Sequence, residues 1–257
     1  MTSSGDHYIE HAGARLRWRV EGSGPAVVLL HGWALDLSIW DLLAPLLGPR
    51  FTVLRFDRRG FGLSEGVPDI HRNVDDLQAV MDAAGVQRAA LLGMSQGARL
   101  ALHFALAQPA RVSALVLDGA PEVESESELP LAMYRQRLES GGVAALRAMI
   151  LTHPLMQLHT VQPAARAVLL DCLSHYRGLD LLHPVPRARA PDLARIAAPT
   201  LVLNGMLDSE ARREAGRRIA TAIAGATRVE LPDAGHLAPL DAPQAYADAV
   251  GGFLDRR

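Results

Sequence analysis

Five residues, Gly93-Met94-Ser95-Gln96-Gly97, have the types and spacing for nucleophilic chemistry. They follow the apolar run 89–92 and precede a helical run over 98–107. A serine between two glycines at a strand-to-helix junction is the pattern of a nucleophile elbow. The turn must be sharp and the serine backbone strained, so residues two positions away on each side are crowded and glycine relieves them. G-x-S-x-G also arises by chance, so the motif gains meaning only from a base, an acid and an oxyanion site elsewhere in the chain.

Of the ten histidines, His236 is the expected base. It ends Leu231-Pro232-Asp233-Ala234-Gly235-His236, in the loop after the last strand. Chain order Ser, acid, His places the orienting carboxylate between Ser95 and His236. Asp208 fits, just past the strand at 200–203, and Asp118, ending the strand after the elbow, is its rival. Asp233 is too close to His236 on one loop to align the ring. The expected oxyanion donors are two backbone N–H groups, that of Gln96 and that of Trp33 in His31-Gly32-Trp33, helped by the helix N-terminus after Ser95. His31 reads as a loop tie and His103 as a packing or surface residue. The Gln96 side chain is expected to pack rather than to bind substrate.

The elements that must position these groups alternate. Residues 7–11 and 14–20 read as a hairpin around Ala12-Gly13, with Leu16, Trp18 and Val20 on one face and Arg15, Arg17 and Arg19 on the other. Residues 26–30 are apolar throughout, as in a parallel strand covered on both faces. Ser38 is expected to cap a helix to about Leu47. A strand over 51–56 runs into the glycine-rich turn Asp57-Arg58-Arg59-Gly60-Phe61-Gly62-Leu63-Ser64, and a helix from Asn73 to Ala84 closes at Gly85. Further strands fall at 112–117, 200–203 and 227–231, with helices over 210–224 and 243–254. The pattern predicts a mostly parallel sheet flanked by helices, 1–120 and 192–257 forming the core and 121–191 a helical cap. Glu122, Glu124, Glu126 and Glu128 read as a solvated loop. In such sheets ligands bind beyond the carboxyl ends of the strands, so the cap overhangs the site. Met133, Tyr134, Met149 and Met156 are expected to line a substrate pocket, with Leu131, Leu155 and Tyr176 as further candidates. His153, His159, His175 and His183 receive no role.

The chain has 257 residues, 49% hydrophobic and 21% charged, enough for a large core. A net charge of −2 offers no electrostatic case for nucleic acid or an anionic membrane. The single cysteine, Cys172, excludes an intrachain disulfide and a cysteine zinc site. The polar N-terminus lacks the form of a signal peptide, and no apolar run approaches the roughly 20 residues of a membrane helix. The expectation is a cytoplasmic protein needing no cofactor and no metal, with no histidine spacing of the H-E-x-x-H kind.

Taken together, His31-Gly32-Trp33, Asp57 to Ser64, Gly93 to Gly97, Gly205 to Asp208 and Gly235-His236 resemble an α/β-hydrolase with a helical cap. His31 to Asp36 resembles the carboxylesterases that cleave pimeloyl methyl ester, and Asp57 to Ser64 with the elbow resembles 3-oxoadipate enol-lactonases and haloperoxidase-type esterases. The resemblance implies Ser95, Asp208 and His236 as a triad. A serine nucleophile argues against the dehalogenase and epoxide hydrolase branches. The expected activity is hydrolysis of a small-molecule carboxylic ester or lactone with a small to medium acyl group. A C–C bond hydrolase of aromatic ring-cleavage products and a ligand receptor of the same fold are the alternatives.

Overall fold

The computed structural model describes residues 5–121, 129–184 and 190–256. The acidic stretch 122–128 lies outside them. Strands β1 (His7–His11) and β2 (Ala14–Gly22) form the expected hairpin, with Ala12 and Gly13 at positive φ. β3 (Ala26–Leu30), α1 (Ala44–Leu47), β4 (Thr52–Phe56), α2 (Asn73–Ala83), β5 (Ala89–Met94), α3 (Gln96–Ala107) and β6 (Val112–Asp118) follow. After β6 come α4 (Leu131–Leu151), α5 (Pro163–His175) and α6 (Leu179–Leu182). The chain then closes through β7 (Thr200–Gly205), α7 (Glu210–Ala222), β8 (Thr227–Leu231), α8 (Ala238–Asp241) and α9 (Pro243–Leu254).

The sheet runs β1-β2-β4-β3-β5-β6-β7-β8. β1, β2 and β4 pair antiparallel, and every pairing from β4 to β8 is parallel. Side chains alternate across the central strands. Val27 and Leu29 of β3 join one apolar cluster and Val28 and Leu30 the other, which is why β3 reads as apolar throughout. The first cluster continues into the helices after β6: Tyr134, Leu146, Ile150 and Leu169 share it with Trp33, Ile39 and Trp40.

Two local expectations are corrected. The helix expected over 38–47 is a 3₁₀ turn, Leu37–Trp40, followed separately by α1. Pro45 has no N–H to continue a ladder through 41–44, so it opens a new helix in the first turn. The cap of the turn is Asp36, not Ser38: the Asp36 carboxylate accepts the Ser38 amide at 2.8 Å. Within α4 the helix breaks at Gly142, whose φ of 72 lies in the left-handed region.

Because the strands from β4 to β8 are parallel, their carboxyl ends share one edge. The register pairs Leu30 with Gly93, Met94 with Asp118, Asp118 with Leu203 and Gly205 with Leu231. The loops carrying Trp33, Ser95, Gly119, Asp208 and His236 therefore open side by side.

Candidate active site

Ser95 sits between β5 and α3 with φ 54 and ψ −117, a strained backbone for a residue with a side chain. A Cβ on Gly93 would lie 2.3 Å from the Gly97 carbonyl oxygen, and one on Gly97 would lie 2.0 Å from that of Leu30. Side chains at either position would push the turn open. The Ser95 amide donates to the Asp118 carbonyl at 2.8 Å, tying the elbow to the next strand.

The His236 loop and the Asp208 loop are bonded to each other. The Met206 amide donates to Leu231 O and the Leu207 amide to Ala234 O, both at 2.9 Å. A Cβ on Gly205 would fall 2.1 Å from Ala234 O, so the loops can approach only over a glycine. His236 Nδ1 lies 2.9 Å from Asp208 Oδ2, and the other oxygen, Oδ1, accepts the Ser209 amide at 2.7 Å. A carboxylate acceptor at Nδ1 places the ring proton there and leaves Nε2 a free lone pair. Behind the pair stands Gly119 at φ +51, where a Cβ would be 2.9 Å from His236 Cε1 and 3.0 Å from Nδ1.

Asp118 does not meet His236. Its carboxyl accepts the Tyr246 hydroxyl at 3.1 Å. Full burial, with the Asp208 charge nearby, pushes it well above the usual carboxylate range. Asp233 lies in the turn before His236, and among the described residues the carboxylate at Nδ1 is that of Asp208.

Gly32, Trp33, Ser95 and His236 line one pocket with Leu35, Met94, Leu129, Leu155, Met156 and Leu237. Ser95 and His236 are each 6% exposed. Apart from Ser95 and His236 the lining is apolar, and the segment between β6 and β7 supplies Leu129, Leu155 and Met156. Of the four residues expected at a substrate pocket, Met156 is among those that line this one. Met133 points outward at 47% exposure. Tyr134 is buried with its ring stacked on Trp33 at 5.4 Å, and Met149 packs against the core. Helical periodicity marks which residues are inward, but not whether inward means the pocket or a neighbouring helix. Leu35, Met94 and Leu237 come from loop or strand ends where no period exists to read.

The turn after β4 is a structural hub. Asp57 accepts the Leu37 amide at 2.7 Å and the Leu63 amide at 2.8 Å, with Arg17 Nη1 at 3.3 Å. A Cβ on Gly62 would lie 2.3 Å from Asp57 Oδ2. His31 is the loop tie the sequence suggests: its Nε2 accepts the Arg58 amide at 3.0 Å and its Nδ1 lies 2.8 Å from Gly32 O. The Gln96 side chain accepts from Arg58 Nη1 at 3.2 Å, so it packs with a polar partner. Across the site, Trp33 Nε1 donates to Asp180 Oδ2 at 2.7 Å, and Tyr176 donates to Asp180 Oδ1 at 2.8 Å. Asp241 joins the His236 loop to the segment before α5: its Oδ2 accepts the Gly235 amide at 2.9 Å and its Oδ1 the His159 amide at 2.7 Å. No described helix is long and apolar enough to cross a membrane.

A mostly parallel sheet flanked by helices, with a strained serine on its carboxyl edge that shares a pocket with a histidine bonded to a carboxylate, defines a class. The chain belongs to the Alpha/beta hydrolase family, whose profile matches residues 27–249. Its relatives include the pimeloyl-[acyl-carrier protein] methyl ester esterase of Pectobacterium atrosepticum, 28% identical over 93% of this chain and 98% of that protein. A putative carbamate hydrolase, RutD of Klebsiella pneumoniae, is 30% identical over 82% of this chain and 84% of its own length. The enol-lactonase of Burkholderia xenovorans superposes with a TM-score of 0.84 at 28% identity, covering 97% of this chain and all of that one.

Proposed function

We propose that this protein is a serine carboxylesterase or lactonase, with Ser95 as nucleophile, His236 as general base and acid, and Asp208 as the group that orients it. The observation that carries the reading is the 2.9 Å contact of His236 Nδ1 with Asp208 Oδ2, in the pocket that also holds Ser95. His236 Nε2 takes the Ser95 proton as Oγ attacks the ester carbonyl. The charge that develops on the carbonyl oxygen is held by the Trp33 and Gln96 amides. Gln96 opens α3, where first-turn amides have no partner within the helix. His236 then protonates the leaving alkoxide, and water repeats the sequence on the acyl-enzyme.

Residues 121–191 act in this reading as a cap that selects the acyl group. An apolar lining from Leu129, Leu155, Met156 and Leu237 suits a neutral, small to medium acyl chain. The relatives named above are a methyl ester esterase, an enol-lactonase and a putative carbamate hydrolase, and these three classes set the substrates to try.

The test is a fluorophosphonate label followed by a panel of p-nitrophenyl acetate and butyrate, a γ-lactone and a carbamate. Labelling confined to Ser95, with ester or lactone turnover, is expected. Ser95→Ala should lose label and on the order of 10⁶ in turnover. Turnover retained by that variant would refute the nucleophile, and no turnover with saturable ligand binding would favour a receptor.

A further inference from the structure

Two donors converge on a single carbonyl at the edge of the pocket. His31 Nδ1 lies 2.8 Å and Arg58 Nη2 3.0 Å from the oxygen of Gly32. That C=O belongs to the same planar peptide unit as the Trp33 N–H, so whatever fixes the carbonyl also fixes the direction of the amide.

The His31 contribution has one tautomer. Nε2 accepts the Arg58 amide, so the proton sits on Nδ1 and is donated to Gly32 O. Burial pushes His31 down to about 3, with the Arg58 charge adding to the effect, and the ring stays neutral at working pH.

The Arg58 contribution is of another kind, because it brings a charge. Its guanidinium is buried and stays cationic near neutral pH, burial lowering it to about 10. It lies over the Phe61 ring at 4.5 Å, which holds its plane. One arm meets Gly32 O and the other meets Gln96 Oε1, so a single side chain touches the peptide of one expected oxyanion donor and the residue that supplies the other. A cation on a peptide oxygen draws electron density from the unit and makes its N–H a stronger donor.

We propose that Arg58 is a positioning residue for the oxyanion site: its buried guanidinium orients and polarises the Gly32–Trp33 peptide and holds Gln96 in register with it. The proposal rests on the serine-hydrolase reading above. A guanidinium that served only to pack the turn would support folding equally well in both the ground state and the transition state. One that polarises the donor peptide acts where charge develops, so its effect falls on kcat and not on KM.

The experiment compares wild type, Arg58→Lys and Arg58→Met with p-nitrophenyl butyrate as substrate and an alkyl trifluoromethyl ketone as inhibitor, which adds the serine and carries an oxyanion. Arg58→Met should lower kcat about ten- to hundredfold, as for a hydrogen bond from a charged group, with KM within about twofold. The ketone inhibition constant should rise by the same factor as kcat/KM falls. Arg58→Lys, which keeps the charge but not the fork, should fall between, and it carries the test if Arg58→Met does not fold. Folded variants with wild-type kcat and ketone affinity, or a loss confined to KM, would overturn the proposal while wild-type turnover and labelling leave the hydrolase reading standing. A wild-type protein that neither turns over the ester nor takes the fluorophosphonate label would overturn that reading, and the role of Arg58 with it.

Discussion

His236 Nδ1 stands 2.9 Å from Asp208 Oδ2, while Asp118, one strand away, spends its carboxyl on the Tyr246 hydroxyl. Asp118 ends β6, and Asp208 lies just past the end of the neighbouring strand β7. Asp208→Asn should reduce kcat by about 10⁴, the loss that follows when an amide reverses the histidine tautomer of such a triad. Asp118→Asn, which leaves the His236–Asp208 contact in place, should cost far less. Steady-state kinetics on both variants decides it, and a larger loss in Asp118→Asn would reverse the assignment.

Gly119 gives a second test of the same pair. A Cβ there would press on the His236 ring at 2.9–3.0 Å, at φ +51. Gly225 has a similar φ of +70 with open space around it. Both alanine variants should lose about 1–2 kcal/mol of stability from left-handed backbone. Turnover should fall only in Gly119→Ala. Thermal unfolding and turnover measured side by side separate strain from displacement of the ring.

The helices after β6 are tied to the core through a pH-dependent contact. His175 of α5 meets buried Asp36 at 2.8 Å, with Asp171 and Cys172 on the same helix and Arg17 facing from β2. The hydrogen bond to Asp36 raises His175 above its usual value. Against burial, which alone would raise it, the bonds from His175 and the Ser38 amide hold Asp36 down to about 2. The folded state thus binds the His175 proton more tightly than the unfolded chain. Its contribution is complete below about pH 6.5 and is lost as pH rises through the folded value. Asp36 contributes above about pH 3.8, a contribution lost as pH falls toward 2. His175→Gln should lower the melting temperature relative to wild type at about pH 5.5, with the difference shrinking by about pH 9. An unchanged difference would show the pair to be uncharged.

The pocket wall predicts selectivity. Met156 lines the pocket and is 6% exposed, whereas Met133 is 47% exposed on the outer face. Met156→Phe should narrow the space and lower kcat/KM for p-nitrophenyl hexanoate by about tenfold more than for the acetate. Met133→Ala should leave both unchanged. Equal effects on the two esters in Met156→Phe would place the acyl group elsewhere.

Much of this protein is legible in the chain alone, wherever the governing forces are local. The period-two hairpin, the apolar parallel strands and the glycines flanking Ser95 follow from crowding and side-chain alternation within a few residues. A Cβ on Gly93 or Gly97 would meet backbone at 2.3 or 2.0 Å, as the sharp turn demands. The order Ser95, Asp208, His236 along the chain narrows the acid to two aspartates. Sequence position favours Asp208, and only the tertiary structure shows its carboxylate against His236 with Asp118 against Tyr246, because that depends on which loop the β8 loop bonds to across the sheet edge. It also decides that Tyr134 stacks on Trp33 while Leu155 and Met156 face the pocket, since an inward helical residue can meet either a cavity or another helix. Least visible in sequence is the convergence of His31 and Arg58 on Gly32 O. Those residues lie on the β3 and β4 loops, and only the parallel pairing of the two strands brings them to one carbonyl.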